Sequence, residues 1–397
     1  MSAKKNPPRA LFPLDPAFAE LSVLICITVC GILARVALFS LSSWDLEHFL
    51  IPWYDTIRDN GGFRAVGMDI GDYAPTYRYF LAFLTTFHIP AVIGIKVFSG
   101  IFELLAAIYI KRIAALLFPG TARPLLAYAA AFCLPSVLLN SAAWGQCDGI
   151  YTCFLIMSLY YLMKERGCLS MVMFGLAFSF KLQAIFYAPF ALMMVLRGKI
   201  RIREALLVPA VFVLSVIPSA IAGGNLFSLL TVYVRQSAQY GLLNMALPNF
   251  WTFLSSMKSR PLGAAGVFGT GAAMLAYVWY GQRRTGKTDG KELIYAAAVS
   301  CMAVPYLLPY MHERYFFTAE VMLILVAVCK PERLWMPVIA QFCAVITIAG
   351  NLFDEPRPDM RLLTLLETAV LCVLCLMWRN SMKTQSARQS EASEVRS

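Results

Sequence analysis

The chain has 397 residues, of which 59% are hydrophobic and only 14% charged, with a formal net charge of +11 and a mean hydropathy of +0.65; soluble domains carry about 25% charged residues. That balance excludes an ordinary water-soluble enzyme. The basic residues lie in short clusters between apolar runs, so the positive charge is read as membrane orientation and not as a nucleic-acid surface.

At about 20 apolar residues per crossing, the sequence predicts an all-α polytopic membrane protein of about 12 transmembrane helices. They are placed near 21–41, 92–118, 124–141, 147–163, 169–180, 183–196, 204–222, 264–281, 292–308, 315–329, 335–350 and 362–378. The first follows Lys4, Lys5 and Arg9 but has no small-residue cleavage site, so it is expected to be retained and not removed as a signal. Residues 1–378 form one transmembrane domain. The Ser-, Gln- and basic-rich tail 379–397 lacks apolar periodicity and is expected to be disordered.

Alternate connections carry Lys111, Arg112 and Arg123; Lys164 and Arg166; Arg197, Lys199, Arg201 and Arg203; Arg283, Arg284, Lys287 and Lys291; Lys330 and Arg333; and Arg379, Lys383, Arg388 and Arg396. With the N-terminal cluster these make 22 of the 34 Lys and Arg. The positive-inside bias then puts both termini in the cytoplasm of a plasma or inner membrane. The 28 residues from Leu169 to Leu196 are too short for two full spans and have basic clusters at both ends. They are read as a hairpin of two short helices with Lys181 at its outer tip. The remaining loops, 42–78, 140–148, 223–260, 309–317 and 351–361, all fall on the extracytoplasmic face.

The long first outer loop is expected to carry an amphipathic helix. It contains Trp44-Asp45-Leu46-Glu47-His48 and Gly71-Asp72-Tyr73-Ala74-Pro75. Ionisable groups just past a span are costly unless solvated or paired, which makes Asp45 a candidate for chemistry. Asp45 with Glu47 could also hold Mg²⁺ or Mn²⁺ through oxygen ligands, which leaves a divalent cation open. The second cluster is Asn140 to Tyr151, with Trp144, Gln146 and Asp148; Asp148 could cap the following helix, and Trp144 could belong to an interfacial belt. The third, Tyr310 to Phe317, places His312, Glu313 and Arg314 in succession between two spans. The eleven cysteines lie almost all inside apolar runs. Cys372 and Cys375, a C-x-x-C inside the last span, are not read as a metal or redox site.

Taken together, these segments resemble the GT-C superfamily of membrane glycosyltransferases, in particular bacterial members related to the mannosyl- and glucosyltransferases that use dolichyl-phosphate sugars. The matching pieces are Trp44-Asp45-Leu46-Glu47, Gly71-Asp72-Tyr73-Ala74-Pro75, Trp144-Gly145-Gln146-Cys147-Asp148, Lys181-Leu182-Gln183-Ala184, Leu247-Pro248-Asn249-Phe250-Trp251 and His312-Glu313-Arg314-Tyr315-Phe316, in order along the chain. The resemblance implies a polyprenyl-phosphate sugar as donor, a glycan or lipid-linked acceptor, and an acid of the first outer loop, here Asp45, as base. Where such families often carry Asp-x-Asp, this chain has Asp-x-Glu.

Transfer of this kind needs a carboxylate to take the acceptor proton and cations or imidazolium to hold the leaving phosphate. Asp45 is the expected base. Arg314, His312, Glu313, Lys181, Asp148, Gln146, Trp144 and Tyr73 are the expected donor-binding residues, although Lys181 could instead pair with an acid. Two other readings remain open at this point: a transporter or flippase of a lipid-linked glycan, and a glycan polymerase or ligase.

Overall fold

A computed structural model describes residues 15–237, 241–255, 257–283, 288–353 and 359–394. The basic cluster Lys4, Lys5 and Arg9, the residues Arg284 and Lys287, and residues 354–358 of the last outer loop lie outside the described residues. The protein is an all-α polytopic membrane protein. Seven helices are long and apolar enough to cross a bilayer: Ala17–Leu38, Ala91–Leu117, Arg123–Ala143, Ile202–Ile221, Arg260–Gln282, Pro331–Leu352 and Met360–Lys383. Four shorter apolar helical segments, Asp148–Met163, Gly167–Phe180, Leu182–Leu196 and Phe317–Cys329, complete the bundle with Gly290–Leu307.

The helix that opens the described chain starts where Asp15 accepts a hydrogen bond from the Ala17 amide at 3.0 Å, with Pro16 preset for the first turn. Near its other end, Arg35 reaches into the bundle and donates from Nε (2.9 Å) and Nη2 (2.8 Å) to Glu103 Oε2. The guanidinium also donates to the carbonyls of Gly31 and Phe132 and lies 4.0 Å from the Phe132 ring centroid. Lys96 closes the helix C-terminus by donating to the carbonyls of Phe39 and Leu41, as a cation there should. Two intramembrane charges of the Ala91–Leu117 helix thus pin the first helix in place.

The bundle has two distinct ends. At one end Gly290 packs against Leu117 and Met163, Cys168 approaches Glu204, and Arg197 donates to the Gly281 carbonyl and to Glu292. The hairpin Gly167–Leu196 starts and finishes there. Its turn at the opposite end is an interruption at Lys181, which is extended (φ −153°, ψ 138°), followed by a 3₁₀ stretch Leu182–Tyr187.

Two elements were not anticipated. Pro75–Thr86 forms a largely buried helix that begins in the first outer loop, 42–78, and runs on toward the next span. Its Arg78 holds the 3₁₀ turn Gly62–Gly67 by donating to the carbonyls of Val66 and Met68. A two-residue parallel ladder joins Asn244–Met245 to Met311–His312. Within the first loop Ile51–Asp59 is helical, burying Tyr54 and Ile57 and exposing Arg58 and Asp59. The last helix, Met360–Glu394, continues through residues 379–394, where composition suggests disorder. A helix already formed can propagate into a polar sequence without a new nucleation cost.

Candidate functional site

At the end of the bundle that holds Lys181, residues from five separate parts of the chain surround a cavity of about 840 Å³. Its wall includes Trp44, Asp45 and Trp53 from the first loop, Asp72 and Tyr73 beyond them, Trp144 and Gln146, Asn244 to Ala246, His312 to Arg314, and Asn351. One residue or more from each of the five loops singled out in the sequence therefore faces a common space.

Local backbone geometry sets the central contacts. A π-helical turn, Leu46–Leu50, begins directly after Asp45, and a second, Leu139–Ala143, ends directly before Trp144. Such turns insert an extra residue and re-aim the flanking side chains. Gly145 follows with φ +80°, a left-handed conformation that L side chains seldom adopt, and a Cβ there would stand 3.1 Å from the Leu46 side chain. Ser43 closes the junction by donating to the Trp144 carbonyl at 2.7 Å.

The result is a tightly held carboxylate. Asp45 Oδ2 accepts from Gln146 Nε2 at 2.7 Å and from Trp144 Nε1 at 3.2 Å, and Arg314 Nη2 lies 3.7 Å away. The Asp45 side chain remains 26% exposed toward the cavity, whereas Trp144 and Gln146 are buried. Gln146 is fixed in turn, since its Oε1 accepts from the Tyr73 hydroxyl at 3.2 Å and its carbonyl from Ser99 at 2.9 Å. Trp144 is thus a buried hydrogen-bond donor and not a belt residue.

Arg314 joins this group to a second one below the cavity wall. It donates from Nη1 to Glu313 Oε1 at 2.6 Å, stands 3.5 Å from Asp148 Oδ2 through Nε, and lies 5.2 Å from the Trp144 ring centroid. Asp148 also accepts from Lys181 at 2.5 Å and from Asn140 at 2.8 Å, and it makes no side-chain capping bond to its own helix. Lys181 and Asp148 are both buried, are bound to one another, and do not line the cavity, the acid pairing that the sequence left open for Lys181. A deeply placed lysine has no solvent to spend its charge on, so it pairs with the nearest carboxylate.

Two carboxyl groups at the site depart from ordinary behaviour in opposite directions. Burial alone would raise Glu313, but hydrogen bonding to His312 and the charge of Arg314 outweigh it and bring its pKa down to about 2. Asp72 is raised, chiefly by burial, with a backbone hydrogen bond, the charge of Lys181, a hydrogen bond from Gln236 and the charge of Arg314 working against that shift. The Arg314 guanidinium is held well above its usual range: burial lowers it, and the charges of Glu313, Asp148 and Asp45 more than compensate.

The proposed cation pair does not form. Glu47 is exposed and absent from the cavity wall, because side chains two positions apart on a helical backbone diverge. Among the described residues no group of three His, Cys, Asp or Glu side chains gathers to hold a metal ion. Asp45 and Glu47 therefore do not fit a Mg²⁺ or Mn²⁺ site between them.

Sequence reasoning missed Asp72, Trp53, Asn244 to Ala246 and Asn351 as cavity residues. Asp72 had a visible signal, an acid next to Tyr73 in a glycine-led turn. Asn244 and Asn351 had none, since only the ladder and the packing of distant helices bring them in.

Comparison with known proteins gives one distant likeness to report. The chain is 27% identical over 183 residues to GPI mannosyltransferase 1 of Dictyostelium discoideum, a match that spans 44% of this chain and 41% of the length of that relative. No family model matches the chain.

Proposed function

We propose that the protein is a membrane glycosyltransferase that moves a hexose from a polyprenyl-phosphate sugar to a glycan or lipid-linked acceptor on the extracytoplasmic face, with both termini cytoplasmic. The observation that carries this reading is the approach of the Asp45 carboxylate to the Arg314 guanidinium, at 3.7 Å, in the wall of an aromatic-lined cavity. The partial likeness to a mannosyltransferase makes mannose the first donor sugar to test.

In this mechanism the acceptor hydroxyl gives its proton to Asp45 as its oxygen bonds to the anomeric carbon. The bond from that carbon to the phosphate oxygen breaks, and polyprenyl phosphate departs. Trp144 and Gln146 hold Asp45 in one orientation, which is the contribution a general base needs from its surroundings. Arg314 and His312 face the leaving phosphate, where a guanidinium offers paired donors to its oxygens. The Lys181–Asp148 pair acts indirectly, by fixing Asp148 beneath Arg314. A single displacement of this kind inverts the anomeric centre.

The test compares lipid-linked and surface glycans by mass spectrometry in cells lacking the protein and in cells rescued with wild type or Asp45→Asn. A glycan one sugar short in both the null and the Asp45→Asn strain is expected. Full rescue by Asp45→Asn would remove Asp45 from the mechanism. A complete glycan accumulating on the wrong side of the membrane in the null would instead identify a transporter.

A further inference from the structure

The cavity holds a second carboxylate, Asp72, which the mechanism above leaves without a task. It is half-buried in the wall that also carries Asp45, Trp53, Tyr73 and Arg314. Its backbone is held firmly. Gly71 adopts φ +66° and lies so close to Trp53 that a Cβ would fall 2.4 Å from the indole ring, while Tyr73 meets the same indole edge-on at 5.1 Å between ring centroids. Asp72 is thus fixed beside a tryptophan by both of its chain neighbours.

Its electrostatic situation differs from that of the other acids nearby. Asp45 has Trp144, Gln146 and Arg314 around one oxygen; Asp148 has Lys181 and Asn140; Glu313 has Arg314. Among the described residues no ion pair within 4.0 Å engages Asp72; a backbone amide and the Gln236 side chain donate to it, and Lys181 and Arg314 attract it from farther away. A carboxylate has about four acceptor sites, so these donors leave capacity on the side that lines the cavity.

A hexose supplies what this arrangement lacks. Its hydroxyls donate to a carboxylate, and its C–H face packs on an indole. We infer that Asp72 accepts hydrogen bonds from hydroxyls of the donor sugar, with Trp53 beside it, and so sets which hexose the site accepts; the inference rests on the transfer reading given above. The donor is favoured over the acceptor because Asp72 shares the cavity wall with Arg314, the guanidinium assigned to the donor phosphate. A site built to bind a hydroxyl discriminates strongly against analogues that lack it, since the buried polar group is then left unpaired.

The experiment uses the full-length protein in lipid nanodiscs, with short-chain prenyl phosphates of mannose and glucose and their monodeoxy analogues as probes. Binding is followed by calorimetry, and sugar transfer is measured in parallel. The Asp72→Asn variant should bind the complete donor roughly 10- to 150-fold more weakly, the range of one charged hydrogen bond. For the monodeoxy donor lacking the contacted hydroxyl, the same substitution should change binding less than about twofold, because that bond is already gone. Equal weakening of every donor, or no weakening, overturns the inference. Should Asp72→Asn not fold, wild type alone decides, and binding indifferent to the removal of each hydroxyl in turn overturns it as well. A wild type that binds these donors but transfers no sugar rejects the transfer reading separately, and the binding comparison then still judges Asp72.

Discussion

Asp45 and Arg314 are far apart in the sequence and meet at 3.7 Å, with Trp144 touching both: its indole nitrogen donates to the carboxylate and its ring lies 5.2 Å from the guanidinium carbon. The base proposed for the acceptor and the cation proposed for the leaving group are therefore positioned by one buried side chain. Trp144→Phe should retain the ring packing and lose the hydrogen bond. Transfer is expected to fall about 10- to 100-fold while thermal stability changes by about 1 kcal/mol or less, the net worth of one hydrogen bond; kinetics and thermal unfolding on the same preparation check this.

Arg314→Lys should be far from conservative. The guanidinium reaches Glu313, Asp148 and Asp45 at once through its separate nitrogens, and a single ammonium cannot reproduce that fork. Activity should drop at least about 100-fold. Arg314→Ala should in addition cost about 3–5 kcal/mol of stability, because buried carboxylates lose their partner. Unfolding measurements on the two variants separate the effects.

Acid should weaken the protein through Glu313. Its pKa in the folded chain is depressed to about 2 from an ordinary 4.5, so its contribution to stability is fully present above pH 4.5 and is lost as pH falls toward 2. The melting temperature of wild type should exceed that of Glu313→Gln near neutrality, with the gap narrowing between about pH 5 and pH 2. A gap that stays constant across this window would rule the linkage out.

The Arg35–Glu103 pair does not line the cavity and tests what holds the bundle together. Each single change, Arg35→Met or Glu103→Gln, leaves one charged group buried without its partner and should cost about 3–5 kcal/mol; the double variant should recover most of that loss. A double-mutant cycle by thermal unfolding in detergent reads the coupling directly. Additive losses would mean that the two residues act independently.

Much of the helical framework is legible in the sequence, because apolar length decides which segments avoid water. The same holds for the gathering of Asp45, Trp144, Gln146 and Arg314, since polar groups excluded from a bilayer can collect only at its faces. Which acid pairs with which cation is not legible. Lys181 could serve equally well as a ligand contact or as the partner of Asp148, and only its place below the cavity wall decides. Glu47 lies only two positions from Asp45, but the direction of one helical turn separates them. Pro75–Thr86 was missed because its apolar stretch is too short and too mixed with tyrosine and arginine to resemble a span.

The Lys181–Asp148 ion pair also has a polarity imposed by the helices that carry it. Lys181 stands at the C-terminal end of Gly167–Phe180, and Asp148 opens Asp148–Met163. A helix C-terminus carries partial negative charge and an N-terminus partial positive charge, and each favours the ion placed there by about 0.3–1 kcal/mol, and up to about 2 when partly buried. Exchanging the two residues would preserve the attraction between them while setting both against their own helix ends, and it would put a second cation under Arg314. The pair is therefore directional: a charge-swapped double variant should remain less stable than wild type even with its ion pair restored.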